Sequence, residues 1–223
     1  MTTGQVLSLK IAQPKMMTFE SETIETAIQK QPVSHVDVNE QGIIGNDVGL
    51  KAHHGGVDKA VFFMGEETFY TLNRLTQSNF TYDGTGVYGE NIVVSHFDER
   101  NVCIGDRFQL GSCEFEVSQP RRPCSRLSKN TGVATMKEVI FEQGLTGWYV
   151  RVIKAGSIKQ GDQVILKARP YPQWTIANLN HWLALDTIAV AELTPLLDCD
   201  ILAEAFKAAV RKRLNGESGK VKG

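Results

Sequence analysis

The chain has 223 residues, a formal net charge of −1 and 42% hydrophobic residues, which suits one sizeable core with a small appendage. The near-neutral charge argues against a nucleic-acid-binding protein that depends on overall positive charge. The first 20 residues contain no apolar run typical of a signal peptide, and no later stretch suits a membrane span. We therefore expect a cytoplasmic protein that contacts no membrane, with its four cysteines as free thiols.

The first 168 residues are predicted to be mainly β. In two similar segments a Gly-Asp pair, Gly105-Asp106 or Gly161-Asp162, precedes an alternating strand. These repeated corners favour a closed or partly open β-barrel over residues 1–168. Runs of β-forming residues predict strands at residues 4–12, 90–95, 113–119 and 161–168.

Two helices are predicted to pack on this barrel, over residues 65–77 and 135–143. In the first, Phe69, Leu72 and Leu75 recur at intervals of three residues. We expect these three side chains to form the apolar face of the helix and to contact the barrel.

After residue 175 the hydrophobic period becomes helical. Thr175 suits the N-cap of a first helix, Asp186 suits that of a second, and a third is predicted over residues 200–216. Glycine at position 216 is typical of the end of such a helix.

The segments on either side define the boundaries of this second unit. Two prolines make residues 169–174 a plausible linker. We predict a small three-helix subdomain over residues 175–216, which needs to dock on the barrel for stability. Residues 217–223 are predicted to be a disordered tail.

Chemistry is suggested first by the stretch from Val117 to Leu127, which places Cys124 among Arg121, Arg122 and Arg126. Prolines keep this stretch extended beyond a predicted strand, where scaffolds commonly display reactive groups. Neighbouring cations favour the thiolate, the form that attacks electrophiles and binds soft metals. A structural cysteine among solvated arginines remains the alternative. The other three cysteines lie in apolar or helical segments and are predicted to be packing residues.

A second stretch, Leu50 to Val61, contains the pair Gly55-Gly56 between Lys51 and Lys59. Adjacent glycines allow successive backbone N–H groups to point into one anion-binding concavity. His54 can donate a further hydrogen bond. The spacing is not that of a P-loop, and a glycine turn with solvated lysines explains the stretch as well.

A third stretch, Gly86 to Val94, is predicted to turn at Gly89 into a strand that begins near Asn91. The amide of Asn91 offers both a donor and an acceptor, which suits the edge of a purine or a pterin. Glu90 has the same capacity to contact such a ring, or is simply exposed. Together the three stretches suit a phosphorylated heterocyclic cofactor that carries a soft metal.

The order and spacing of these motifs resemble the MOSC family, named after the C-terminal domain of molybdenum cofactor sulfurases. The matching motifs are HGGVDKAV, GENIVV, CIGDRF, SQPRRPC and GLTGWYVRVIKAGSIKQGD. The helical end resembles the three-helix extension of the bacterial YiiM-type branch. The resemblance implies a β-barrel that binds the molybdenum cofactor, which is a molybdopterin with a dithiolene and a phosphate.

The resemblance also implies roles for individual residues. Cys124 would be the catalytic residue and the protein ligand to molybdenum. The basic candidates for the cofactor phosphate are Lys51, Lys59, Arg121 and Arg122. The pterin site would be lined by His54, Gly55, Gly56 and Asn91.

Relatives in this branch reduce N-hydroxylated compounds, especially N-hydroxylated purines, to amines. The resemblance therefore implies a small-molecule N-hydroxylated substrate. No C-x4-C-x2-C iron–sulfur motif is present, so we expect electrons from a separate reductase. No aminotransferase-like domain is present, so a cofactor-sulfurating activity is not expected.

Three alternatives remain open on the sequence alone. The first is a carrier that binds the cofactor without turnover. The second is a metal-free cysteine enzyme, such as a peroxidase or hydrolase, which needs a resolving thiol or a base such as His54 near Cys124. The third is a nucleotide-binding regulator that uses only the glycine pair, and it leaves the cysteine loop unexplained.

Overall fold

A computed structural model describes residues 3–20, 22–49, 55–184 and 190–216. Its strands, numbered in chain order, are β1 (Thr3–Ile11), β2 (Lys15–Phe19), β3 (Glu22–Thr26), β4 (Gln31–Val33), β5 (His35–Asn39), β6 (Gly42–Ile43), β7 (Val61–Gly65), β8 (Ile92–Val94), β9 (Arg107–Leu110), β10 (Cys113–Pro120), β11 (Trp148–Lys154), β12 (Gly156–Lys159) and β13 (Gln163–Ala168). Its helices are α1 (Glu66–Thr76), α2 (Arg126–Thr131), α3 (Met136–Glu142), α4 (Ile176–Ala184), α5 (Val190–Leu197) and α6 (Glu204–Leu214).

Seven of the described strands form a closed barrel. Their order is β13, β9, β10, β11, β7, β8 and β1, and β1 pairs again with β13. Strands β7 and β8 run parallel, whereas the other neighbours in the barrel run antiparallel. Strand β4 extends the sheet beside β1, and β2 with β3 forms a separate hairpin. The prediction of a mainly β barrel with packing helices and a C-terminal helical part is confirmed.

The two Gly-Asp corners have the same structure. Gly105 and Gly161 have φ angles of 75° and 90°, in the left-handed region that favours glycine. The carboxylates of Asp106 and Asp162 each accept a hydrogen bond from the backbone N–H three residues earlier, at 2.9 and 2.8 Å. The strands that follow the two corners, β9 and β13, are antiparallel neighbours in the barrel. The two copies of the motif therefore form the same type of turn.

Helix α1 packs on the outside of the barrel through part of its predicted apolar face. Phe69 and Leu72 are 1% and 0% exposed and belong to a second hydrophobic cluster with Met64 of β7. The prediction for Leu75 was wrong, because its side chain is 43% exposed. An interval of six residues turns the side chain about 240° around a helix, away from the face of Phe69.

The three C-terminal helices share the main hydrophobic core with the barrel, so the predicted docking is confirmed. Leu179, Leu193 and Phe206, one from each helix, belong to the same cluster as Phe115 inside the barrel. The backbone N–H of Ala203 also donates to the carbonyl of Ser118 in β10, at 3.0 Å. None of the described helices is long and apolar enough to cross a membrane.

The ends of these helices agree in part with the sequence pattern. Thr175 caps α4, because its Oγ1 accepts a hydrogen bond from the N–H of Asn178 at 3.1 Å. Helix α6 begins four residues later than predicted, since the preceding backbone bonds to the barrel through Ala203. The chain leaves α6 at Gly216, with a φ of 78°. The predicted cap Asp186 and the tail 217–223 lie outside the described residues.

The segment between the barrel and the first of these helices is bonded to the barrel. Arg169 donates to the carboxylate of Asp106 at 2.8 and 2.6 Å. The rings of Tyr171 and Trp174 stack with centroids 4.7 Å apart, and Ile104 donates to the carbonyl of Trp174 at 3.0 Å. The predicted linker 169–174 is therefore held against the Gly-Asp corner.

Candidate functional site

Cys124 lies in the loop that leaves the end of β10. The strand ends at Pro120, and α2 begins at Arg126. The carbonyl of Cys124 accepts a hydrogen bond from the N–H of Leu127 at 3.1 Å, which fixes the loop on the helix. Cys124 is partly exposed, whereas the predicted packing cysteines, Cys103, Cys113 and Cys199, are buried. The chain thus presents Cys124 at the carboxyl end of a strand.

A cavity of about 530 Å³ opens beside this loop, within the size range of small-molecule and cofactor sites. The structure brings six of the predicted site residues together on its wall, namely Gly55, Gly56, Lys59, Asn91, Arg121 and Cys124. Arg122 is exposed and is not among the residues that line the cavity. The predicted residues Lys51 and His54 lie outside the described residues.

The glycine pair turns the chain into the 3₁₀ turn Val57–Lys59. Gly56 has a φ of 98°, and its carbonyl accepts a hydrogen bond from the N–H of Lys59 at 2.9 Å. Burial lowers the pKa of Lys59, and Asp58 acts in the opposite direction. Asp58 itself pairs with Arg151 of β11 at 2.5 Å, which anchors the turn to the barrel.

The amide of Asn91 is fully bonded within the protein. Its Nδ2 donates to the carbonyl of Lys10 and to Oδ1 of Asn46, both at 3.1 Å. Its Oδ1 accepts from Nζ of Lys30 at 3.1 Å and from the N–H of Phe62 at 3.3 Å. An amide has two donors and two acceptor positions. The structure therefore favours a positioning role for Asn91, because contact with a heterocycle edge requires one of these bonds to break.

Glu90 is buried rather than exposed, and it stabilises the cavity wall without lining the cavity itself. Its carboxylate pairs with Nζ of Lys10 at 2.7 Å, and both side chains are fully buried. The same carboxylate accepts from the N–H of Tyr88 at 2.8 Å. Nζ of Lys10 also donates to the carbonyl of Tyr82 at 2.6 Å. The pair joins β1 to the turn before β8.

Lys30 is a residue of this wall that the motifs do not include. Its side chain is 5% exposed and lines the cavity. Nζ donates to the carbonyl of Gly89 at 2.6 Å and to Asn91. Desolvation by burial lowers the pKa of Lys30 to about 7; nearby Glu90 raises it, and Arg121 lowers it further. Residues 27–30 lie between β3 and β4, and Ala27, Ile28 and Lys30 are all buried, so no alternation in the sequence marks Lys30 as a residue of the wall.

Arg121 and two aromatic residues form the side of the wall next to the cysteine loop. The guanidinium of Arg121 lies 5.3 Å from the ring centroid of Phe62 and donates to the carbonyl of Tyr88 at 3.3 Å. The rings of Phe62 and Tyr149 are 5.3 Å apart. Burial raises the pKa of Tyr149, Arg121 acts in the opposite direction, and Cys124 raises it. The hydroxyl of Tyr149 is therefore close enough to Arg121 and Cys124 for both side chains to influence its pKa.

A metal cage built from side chains is not found in the described parts of the chain. No group of three or more His, Cys, Asp or Glu residues is placed to hold an ion there. Cys124 is the cysteine that lines the cavity. A soft metal at this wall would therefore have to bring further ligands with it.

Comparison with known proteins places the chain in a family. The family model of the MOSC domain matches residues 51–165, and that of the YiiM-like 3-alpha helix domain matches residues 174–217. The Bacillus subtilis (strain 168) protein YflK is 31% identical over 209 residues, which cover 93% of this chain and 93% of YflK.

Two further relatives extend the comparison. A protein of Gibberella moniliformis named Reductase is 28% identical over 212 residues, which cover 93% of this chain but 38% of that protein. The crystal structure of YiiM from Geobacillus stearothermophilus has a TM-score of 0.78 and 29% identity, and the match covers 95% of this chain and 99% of that one. The chain therefore belongs to the MOSC domain family, in the YiiM-type group that carries three C-terminal helices.

Proposed function

We propose that this protein is a molybdenum-cofactor-dependent oxidoreductase that reduces N-hydroxylated compounds, such as N-hydroxylated purines, to amines. The observation that carries the proposal is the position of Cys124, partly exposed on the wall of a cavity that Lys59 and Arg121 also line. Membership of the MOSC family supports the cofactor, since the family takes its name from molybdenum cofactor sulfurases. The similarity to a protein named Reductase supports the reaction class.

The residues of the cavity fit such a cofactor. One thiol, buried cations and aromatic rings meet in a space of about 530 Å³, as expected for a ligand with a soft metal, an anionic group and a flat heterocycle. A pterin dithiolene supplies its own sulfur ligands to molybdenum. This agrees with a wall that offers one cysteine and no three-residue metal cluster among the described side chains.

In this proposal the side chains have separate tasks. Cys124 provides the protein thiolate that fixes the metal end of the cofactor. Lys59 and Arg121 balance the negative charge of the phosphate. The rings of Phe62 and Tyr149 shield the site from water, and the bonded amide of Asn91 keeps the wall rigid.

When bound, the molybdenum centre would supply the two-electron chemistry that the side chains lack. The overall reaction breaks one N–O bond: the N-hydroxylated compound, two electrons and two protons give the amine and water. In this proposal the electrons come from a separate reductase. The protein would orient the substrate and partly exclude water from the cavity.

Two of the alternatives, a carrier of the cofactor and a metal-free cysteine enzyme, predict different behaviour. A carrier would retain the cofactor without turnover. A metal-free cysteine enzyme needs a base or a second thiol beside Cys124, and no histidine or second cysteine of the described residues lines the cavity. The candidate base His54 lies outside the described residues, so the case for cofactor binding rests on the cations and rings of the wall.

The test is turnover of an N-hydroxylated purine with a chemically reduced viologen dye as the electron donor. The protein should come from a host that makes the cofactor, beside its Cys124→Ser variant. Amine formation by the wild type alone supports the proposal. Retained cofactor without turnover of several N-hydroxylated compounds would indicate a carrier instead.

A further inference from the structure

Ser118 is the extra residue of a bulge in β10. The pairing of β10 with β11 shifts between Val117 and Gln119, so Ser118 has no opposite residue on β11. A bulge interrupts the ladder of backbone bonds and can redirect the side chain of its extra residue. Ser118 is fully buried and is not among the residues that line the cavity. An effect of Ser118 on a bound ligand must therefore act through other residues.

The backbone of Ser118 is bonded to the helical subdomain. Its carbonyl accepts a hydrogen bond from the N–H of Ala203 at 3.0 Å. Ala203 is buried and is the residue directly before α6. Phe206, in the first turn of α6, is also buried and belongs to the core that the helices share with the barrel. The packing of α6 on the barrel therefore fixes the position of the Ala203 donor.

The side chain of Ser118 is bonded to the glycine turn beside the cavity. Its Oγ lies 2.5 Å from the carbonyl oxygen of Asp58 and 3.0 Å from that of Tyr149. A hydroxyl has one O–H, so the two carbonyls share this proton, and the contact with Asp58 is the shorter one. Asp58 is the middle residue of the turn Val57–Lys59, and Lys59 of this turn lines the cavity. The hydroxyl of Ser118 thus holds the backbone of the turn against the barrel.

A separate ion pair holds the side chain of Asp58. Its carboxylate lies 2.5 Å from the guanidinium of Arg151, which also pairs with Glu116 at 3.3 Å. The side chains of Asp58 and Arg151 are 33% and 20% exposed, and ion pairs that water can reach contribute little to stability. We therefore expect the buried hydroxyl of Ser118 to be the stronger restraint on the backbone of the turn.

We propose that Ser118 is a positioning residue, through which the C-terminal helices hold the glycine turn of the cavity in place. The contacts run from α6 through Ala203 to the carbonyl of Ser118, and from the hydroxyl of Ser118 to the carbonyl of Asp58. This coupling is a property of the folded protein and needs no cofactor. Only its effect on cofactor retention rests on the proposed function.

The experiment is amide hydrogen exchange, measured by NMR on cofactor-free protein. The reporter is the N–H of Lys59, which bonds to the carbonyl of Gly56 at 2.9 Å. Ser118→Ala should raise the exchange rate of this N–H about tenfold, because the loss of a buried hydrogen bond favours local opening of the turn. The N–H of Phe206 bonds to the carbonyl of Ala203 at 2.9 Å and should exchange as in the wild type.

Ser95→Ala is the matched control. Ser95 is a buried serine directly after β8, and its Oγ accepts a hydrogen bond from the N–H of Gln5 at 3.0 Å. This variant should lose a similar amount of stability in urea denaturation, without faster exchange at Lys59. Wild-type exchange at Lys59 in Ser118→Ala would overturn the proposal. If Ser118→Ala does not fold, Ser118→Cys gives the same comparison, because a thiol of similar size is only a weak donor.

A second arm tests the link to the helices. Phe206→Leu loosens the packing of α6 near Ala203 and should also speed exchange at the N–H of Lys59. Phe69→Leu is its control, because Phe69 is a buried phenylalanine of α1 that belongs to the other hydrophobic cluster. Faster exchange at Lys59 in Phe206→Leu alone supports the link, whereas equal exchange in the two variants would overturn it.

Cofactor retention separates this inference from the proposed function. If the proposed function holds, Ser118→Ala should retain less pterin per chain than Ser95→Ala when both come from a host that makes the cofactor. Faster exchange at Lys59 with undiminished pterin would contradict the positioning role toward the cofactor. If no preparation contains pterin, the exchange result still stands, and the proposed function fails instead.

Discussion

Nζ of Lys30 donates to Oδ1 of Asn91 at 3.1 Å, and this bond joins the segment before β4 to the start of β8. The same amide bonds to Lys10, Asn46 and Phe62. One side chain, itself 3% exposed, thus connects four segments of the chain, three of which line the cavity.

Replacing Asn91 with Leu should therefore destabilise the fold strongly. The change keeps a similar side-chain size but leaves the partners of four hydrogen bonds unsatisfied in a buried region. We expect a loss of about 3 kcal/mol or more in the free energy of unfolding, measured by urea denaturation. Asn178→Leu, at an exposed position with one 3.3 Å bond, should cost much less. Equal losses in the two variants would contradict the central role of Asn91.

The buried pair Lys10–Glu90 should show strong coupling. Glu90→Gln leaves the ammonium of Lys10 without a charged partner at a position with no solvent exposure, which should cost about 3 kcal/mol or more. Lys10→Met should cost a similar amount for the opposite reason. The double variant should lose less than the sum of the single losses, by about 2 kcal/mol. Additive losses in a denaturation cycle would show that the two charges do not stabilise each other.

Glu99 should make stability fall as pH rises. Its carboxylate accepts bonds from the N–H of Gly147 at 2.6 Å and from the hydroxyl of Thr68 at 2.8 Å, yet burial raises its pKa from 4.5 to about 7. The folded state thus keeps this proton to higher pH than the unfolded chain does. The free energy of unfolding should therefore fall between about pH 4.5 and pH 7, by up to about 3 kcal/mol.

Glu99→Gln tests this assignment, since the amide imitates the protonated carboxyl and can serve both partners. The variant should match the wild type near pH 4.5 and exceed it at pH 8, as measured by thermal unfolding over that range. Glu67→Gln, an exposed position on α1, is the control and should leave the pH profile unchanged. A wild-type profile that rises from pH 5 to pH 8, with no difference in Glu99→Gln, would contradict the raised pKa.

Much of the barrel was predictable because its signals are local. A glycine in the left-handed region followed by Asp builds the same turn at Gly105 and Gly161, and alternating β-formers mark the strands that follow. Thr175 was likewise recognisable as a cap from its position before a helical pattern. Each of these features depends on residues within a few positions in the chain.

The electrostatics of the wall were less predictable because they depend on register. Consecutive residues at the end of a strand point to opposite sides, so the sequence does not decide which of Arg121 and Arg122 faces the cavity. Lys30 enters the wall through the pairing of β4 with β1, next to β8. From the sequence, the amide of Asn91 was a candidate to bind a ligand. The structure shows that this amide makes four hydrogen bonds within the protein.

The most direct measurement is the molybdenum and pterin content per chain of the wild type, Cys124→Ser and the control Ser125→Ala, all purified from a host that makes the cofactor. Ser125 is the exposed neighbour of Cys124 in the same loop. We expect near-stoichiometric molybdenum and pterin in the wild type and in Ser125→Ala, and loss of the metal in a folded Cys124→Ser. Repeated absence of both from fresh wild-type protein, or equal metal in Cys124→Ser, would contradict the assignment of Cys124 as the ligand of a molybdenum cofactor.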